Sequence, residues 1–82
     1  MKQTFFLSTE YIELNGLLKR MNLAETGGHA NTLIDQGKVM VNNKVEHRRR
    51  NKIRVGDIVK LGKDEIEVLA DLGEWVVEKN ID

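Results

Sequence analysis

The chain has 82 residues with neither cysteine nor proline, and its 13 basic and 13 acidic side chains cancel. At this length folding buries only about 60% of the surface the unfolded chain exposes, which allows one domain with a modest core but no deep catalytic cleft. Without cysteine there is no disulfide frame, thiolate zinc site or cysteine nucleophile, and no stretch approaches the ~18 consecutive apolar residues of a membrane span.

Phe5 to Leu7 reads as a short lead-in strand. That apolar run falls short of the roughly 7–15 residues of a signal peptide core, so a soluble, cytoplasmic protein is expected. Tyr11, Leu14, Leu18 and Met21 then form one helical stripe, on a helix starting near Glu10 with Ser8 or Thr9 as its cap and Lys19 and Arg20 in its last turn. Gly16 weakens that helix by ~1 kcal/mol relative to Ala, less than burial of several large side chains returns. Thr26 caps a second helix through Ala30, Leu33 and Ile34, ended by the left-handed residue Gly37.

After Gly37 the period switches to two. Val39, Val41 and Val45 read as one strand face interrupted by a tight turn at Asn42-Asn43, residues that tolerate positive φ. Ile53 and Val55 alternate up to Gly56-Asp57; Ile58, Val59 and Leu61 follow, then a Gly62-Lys63-Asp64 turn and Ile66, Val68 and Leu69. The expected fold is α+β: two N-terminal helices packed on a small, mainly antiparallel sheet within residues 1–70. Residues 71–82 read as an acidic extension with an apolar knot at Trp75, Val76 and Val77.

The zero net charge hides a strong polarity. Residues 38–63 carry nine Lys and Arg against two acids, a net of +7, and residues 64–82 carry seven acids against Lys79, a net of −6. Clustered cations on a defined surface are the footprint of a phosphate-backbone binder, because each one placed at a phosphate releases condensed counterions. Arg48, Arg49, Arg50 and Lys52 head the candidates, since guanidinium groups fork onto phosphate oxygens and stack on exposed bases. Three adjacent arginines on a strand would alternate faces, so they are placed in a loop after Val45, where they can fan out around one backbone. A merely solvated charged loop is the plainer alternative.

Gly27 and Gly28 bare the start of the second helix, where backbone N–H groups and the positive end of the helix dipole can receive a phosphate. Equally, they can serve only to let the two helices pack closely. His29 is either a neighbouring RNA contact or an ordinary surface histidine. Asn42 and Asn43 offer turn backbone to a phosphate, and Lys44 either extends the basic surface or keeps the hairpin tip soluble. Ser8 is the single serine, and Glu65 and Glu67 adjoin Asp64 on what reads as an exposed acidic edge. No catalytic constellation, metal set or cofactor motif emerges, and the chain is read as a non-enzyme.

In order and spacing, Ile34, Gly37, Val39, Val41 and Asn42, followed by Gly56, Asp57 and Val59, resemble the signature of the alpha-L RNA-binding motif, the S4-type domain of the ribosomal small subunit. Tyr11 to Leu14, Leu17 to Lys19, Gly27-Gly28 before Ala30, Val45-Glu46, Arg48 to Arg50 and Lys52-Ile53 are similar to its small stand-alone bacterial members of the YaaA/YbcJ type. The resemblance spans residues 4–70 and implies binding to structured RNA, usually ribosomal or transfer RNA, through the second helix and adjoining loops; the leading expectation is a ribosomal target, for example in subunit assembly or rescue. Such relatives are more basic at the positions of Glu13, Gly27, Asn31 and Thr32, which shifts the expected contact here toward the Arg cluster. A second function class stays open: a protein-interaction module whose basic face meets an acidic partner, a second copy, or its own 64–82 segment. Charge alone does not separate RNA from DNA.

Overall fold

Leu14, Leu17 and Leu18 are fully buried along one side of helix α1, Leu14–Arg20, and the rest of the molecule is arranged to cover them. In the computed structural model, which describes residues 1–72, they meet Ala30 and Ile34 of helix α2, Gly27–Asp35. Behind the helices, Val39, Ile53, Val59, Ile66 and Val68 complete the core, each with no exposed surface. The 71–82 extension and its Trp75 knot fall outside the described residues, apart from Asp71 and Leu72.

The strands are β1 (Lys2–Leu7), β2 (Ile12–Glu13), β3 (Val39–Val41), β4 (Lys44–Val45), β5 (Lys52–Ile53), β6 (Ile58–Leu61) and β7 (Asp64–Ala70). Five of them form a sheet in the order β1-β7-β6-β3-β4, in which only β1 and β7 run parallel. Strands β2 and β5 make a separate antiparallel pair. The fold is therefore two helices on a mixed, mainly antiparallel sheet, as the hydrophobic pattern predicts.

Several local expectations need correction. The first helix begins at Leu14, not near Glu10, because Ile12 and Glu13 pair with Ile53 and Lys52 as strand. Neither Ser8 nor Thr9 caps it; the Thr9 hydroxyl donates to the Tyr11 carbonyl. The first helical N–H groups are instead satisfied from afar: Leu14 N donates to the Asn51 carbonyl at 2.9 Å and Asn15 N to the Arg49 carbonyl at 3.0 Å. Val45 does not share a face with Val39 and Val41. A two-residue turn pairs Met40 with Val45 and Val41 with Lys44, which puts Val45 on the opposite side of the pleat. Strand β7 is no acidic edge either, since it lies between β1 and β6, with Glu65 set between Lys2 and Lys60 at 3.7 and 3.9 Å.

Other signals hold in detail. The Thr26 side chain accepts from His29 N at 3.0 Å and caps α2. Gly37 sits at φ +73°, its N–H bonded to the Ile34 carbonyl while Lys38 N–H reaches Leu33, so paired bonds close the helix end. Asn42 and Asn43 have φ of 51° and 70°, the left-handed pair a two-residue hairpin turn requires. Among the described residues no helix is long and apolar enough to cross a membrane.

Candidate nucleic-acid interface

The segment from Glu46 to Asn51 links β4 to β5 and is anchored at both ends. Glu46 N–H donates to the Val39 carbonyl at 3.0 Å, and the Arg49 and Asn51 carbonyls receive the first N–H groups of α1. The basic loop thus serves as the N-terminal cap of a buried helix, which fixes its backbone on the core.

With the backbone fixed, the arginine side chains part company. Arg48 turns back onto Glu46 in a bidentate pair, Nε and Nη2 donating to the two carboxylate oxygens at 3.0 and 3.2 Å. Arg49 crosses to the end of α2 and grips Asp35 with Nε at 2.9 Å and with Nη2. Arg50 reaches Glu13 at 2.9 Å. The three guanidiniums therefore do not fan around a single backbone, and each holds a carboxylate. All three carboxylates lie outside the acidic 64–82 stretch, whose first part is strand β7.

A tight turn at Arg49-Arg50, closed by Asn51 N–H to the Arg48 carbonyl at 3.2 Å, sorts the side chains. Arg48, Arg50, Lys52 and Arg54, together with Asn51, line one shallow open depression of about 490 Å³, and Arg49 does not. Ile53, at the intervening parity, is fully buried. Arg54 and Asn51 line this depression without having stood among the candidates from the sequence; the spacing of Arg48, Arg50, Lys52 and Arg54 is the signal that groups the four cations. Tyr11 borders this surface without lining it. Its ring lies 5.0 Å from Lys52 Nζ and 5.9 Å from the Arg54 guanidinium carbon.

The pairing of these arginines is electrostatically soft. Side-chain exposure is 78% for Arg50 and 37% for Glu13, an ion pair open enough to water to contribute little, so a competing anion can replace the carboxylate; Arg48 is 76% exposed, while its partner Glu46 is largely covered at 15%. The Arg48 hydrogen bonds hold the Glu46 carboxyl below the usual range, and the Arg49 hydrogen bonds do the same for Asp35. In return both guanidiniums are pushed further up and stay charged at any relevant pH.

The remaining candidates are dispersed. Gly27 and Gly28 open α2, and a Cβ built on Gly27 meets nothing within 4 Å, while one on Gly28 meets only the Thr26 hydroxyl at 3.8 Å. Close packing against α1 is therefore not what these glycines provide. His29 is exposed, and its Nδ1 accepts from Glu25 N at 3.2 Å. The expected use of the Asn42 turn backbone needs correction, because Asn42 N–H donates to the Ile58 carbonyl. Its side chain is also engaged within the fold: the amide donates to Asp57 at 3.0 Å and accepts from Ile58 N at 2.9 Å. This ties the hairpin turn to the Gly56-Asp57 turn, a structural reason for both parts of the signature. The Asn43 oxygen accepts from Lys60 Nζ at 3.0 Å, and Lys44 stands exposed after the turn.

Residues 5–69 match the S4 domain. Among curated proteins the chain is 34% identical over 55 residues to a Bacillus subtilis protein named probable ribosome maturation protein RlbA, covering 67% of this chain and 78% of that one. It is 37% identical over 60 residues to YbcJ of Escherichia coli, covering 73% and 86%. The solution structure of YbcJ from E. coli, described as revealing an alpha-L motif involved in RNA-binding, superposes with a TM-score of 0.59 at 32% identity, over 84% of this chain and 86% of that one.

Proposed function

The chain belongs to the S4 domain family, whose domains bind RNA, and on that premise we propose that it is a non-catalytic cytoplasmic protein that docks on structured ribosomal RNA during ribosome maturation. One observation carries the placement of the contact: four cations, Arg48, Arg50, Lys52 and Arg54, line a single open depression. Phosphate oxygens enter that depression and take over the guanidinium hydrogen bonds now made to Glu46 and Glu13, a charge-assisted exchange of one anion for another. Asn51 adds a neutral donor beside them. The uncrowded N–H groups of Gly27 and Gly28, with His29 next to them, give a second phosphate position at the positive end of α2, and Lys44 and Asn43 extend the surface along the hairpin tip. The relatives RlbA, named for ribosome maturation, and YbcJ, described as carrying an RNA-binding motif, support the choice of ligand.

Filter binding with fragments of small- and large-subunit ribosomal RNA tests this reading. The double substitution Arg50→Ala with Lys52→Ala is expected to weaken binding by at least tenfold, while Arg49→Ala, which removes a cation engaged with Asp35, leaves affinity close to the parent's. Equal losses from both variants, or none from the first, would remove the depression as the contact surface.

A further inference from the structure

Beside the cationic depression lies a larger hollow, with no lining residue in common but with contacts that reach across. Tyr11, whose ring stands near Lys52 and Arg54, also lines an open groove of about 770 Å³ together with Phe6, Thr9, Gly16 and Arg20. Glu13 and Glu10 line the same groove, and each reaches across to a cation of the depression, Glu13 to Arg50 at 2.9 Å and Glu10 to Arg54 at 3.9 Å. The groove is open where an aromatic face is wanted: Phe6 is 60% exposed, Tyr11 is 37% exposed, and a Cβ on Gly16 would approach nothing nearer than Ile12 at 3.9 Å.

We propose that this groove holds an unpaired base of the bound RNA, stacked on the Tyr11 ring, while phosphates beside that base occupy the depression. The inference rests on the RNA reading above and adds to it the kind of RNA element recognised. A phosphate entering the depression draws Lys52 and Arg54 toward itself and off the tyrosine ring, so the charge contact and the uncovering of the aromatic face are one event. Any base presents a π-face, so stacking tolerates all four sequences. A continuous duplex keeps its bases inside the helix and offers the depression phosphates only, whereas a bulge or loop supplies both parts. The chain therefore favours RNA with a bulged or looped-out nucleotide over an uninterrupted helix.

The test compares a perfect RNA duplex with the same duplex carrying one bulged 2-aminopurine. The parent protein is expected to bind the bulged RNA between about 5- and 150-fold more tightly, the range of a single base–aromatic stack, and to quench the 2-aminopurine fluorescence. Tyr11→Phe keeps both effects; Tyr11→Leu, checked for folding by its thermal melt, loses both with an unchanged salt dependence. Quenching and preference that persist in Tyr11→Leu, or vanish in a folded Tyr11→Phe, overturn the stacking. The double substitution Arg50→Ala with Lys52→Ala should weaken both RNAs alike. If it weakens neither, the depression falls as the contact surface on which the RNA reading places phosphate, an outcome distinct from failure at Tyr11.

Discussion

Arg54→Ala removes one of the four cations that line the depression and leaves the 46–51 loop untouched. Each phosphate neutralised contributes about 0.7 (single strand) to 0.9 (duplex) to the slope of log affinity against log salt. Four contacts give a slope of about −2.8 to −3.6, so raising monovalent salt from 50 to 200 mM lowers the affinity of the parent about 50- to 150-fold. With three contacts the slope falls to about −2.1 to −2.7, and the same change in salt costs only about 20- to 40-fold. Arg49→Ala provides the control: its guanidinium is held by Asp35 and does not line the depression, so the parental slope should persist. Fluorescence anisotropy of a labelled ribosomal RNA hairpin, titrated at several KCl concentrations, measures all three slopes. A parental slope in Arg54→Ala, or a shallower one in Arg49→Ala, would show that the cations counted here are not the ones that meet phosphate.

Glu13→Gln releases Arg50 from its carboxylate, and the measured affinity for the same hairpin should rise severalfold, since phosphate then displaces no competitor. Ile53→Ala opens a cavity beneath the cationic strand and should cost about 2–5 kcal/mol in denaturant unfolding, a large fraction of the roughly 4–12 kcal/mol available to a domain this size. Gly37→Ala must adopt φ +73° with its new Cβ 3.4 Å from the His47 ring; an unfolding titration should register a loss of about 1–2 kcal/mol. Glu46 and Asp35 both have folded pKa values below their unfolded ones. Their contribution is therefore complete above the ordinary carboxylate range, near pH 4, and disappears as pH falls through the depressed values. Arg48→Ala and Arg49→Ala should each slightly flatten the loss of stability as pH falls below the ordinary carboxylate range, and acid titrations that match the parent would contradict the pairing.

Much of the fold was legible because it depends on short-range chemistry. Thr26 and Gly37 bound a helix through a side-chain cap and a left-handed residue, and Asn42-Asn43 encode a tight turn through their tolerance of positive φ. The site was legible less evenly. Local charge density located the basic loop, but it could not reveal that Glu13, Asp35 and Glu46 would each take one arginine, because two of those partners lie 37 and 14 residues away.

The sequence by itself determined the helix pair, the hairpin punctuation, the alternating core and the concentration of positive charge in residues 38–63, all of which follow from periodicity and backbone preference within a few residues. Tertiary structure alone decided that β1 runs parallel to β7, that β2 pairs with β5, and that carbonyls of the arginine loop cap α1. Those contacts join segments far apart in the chain, where burial and unmet backbone hydrogen bonds choose the partner. That same choice turns Arg48, Arg50, Lys52 and Arg54 into one surface and sends Arg49 to another.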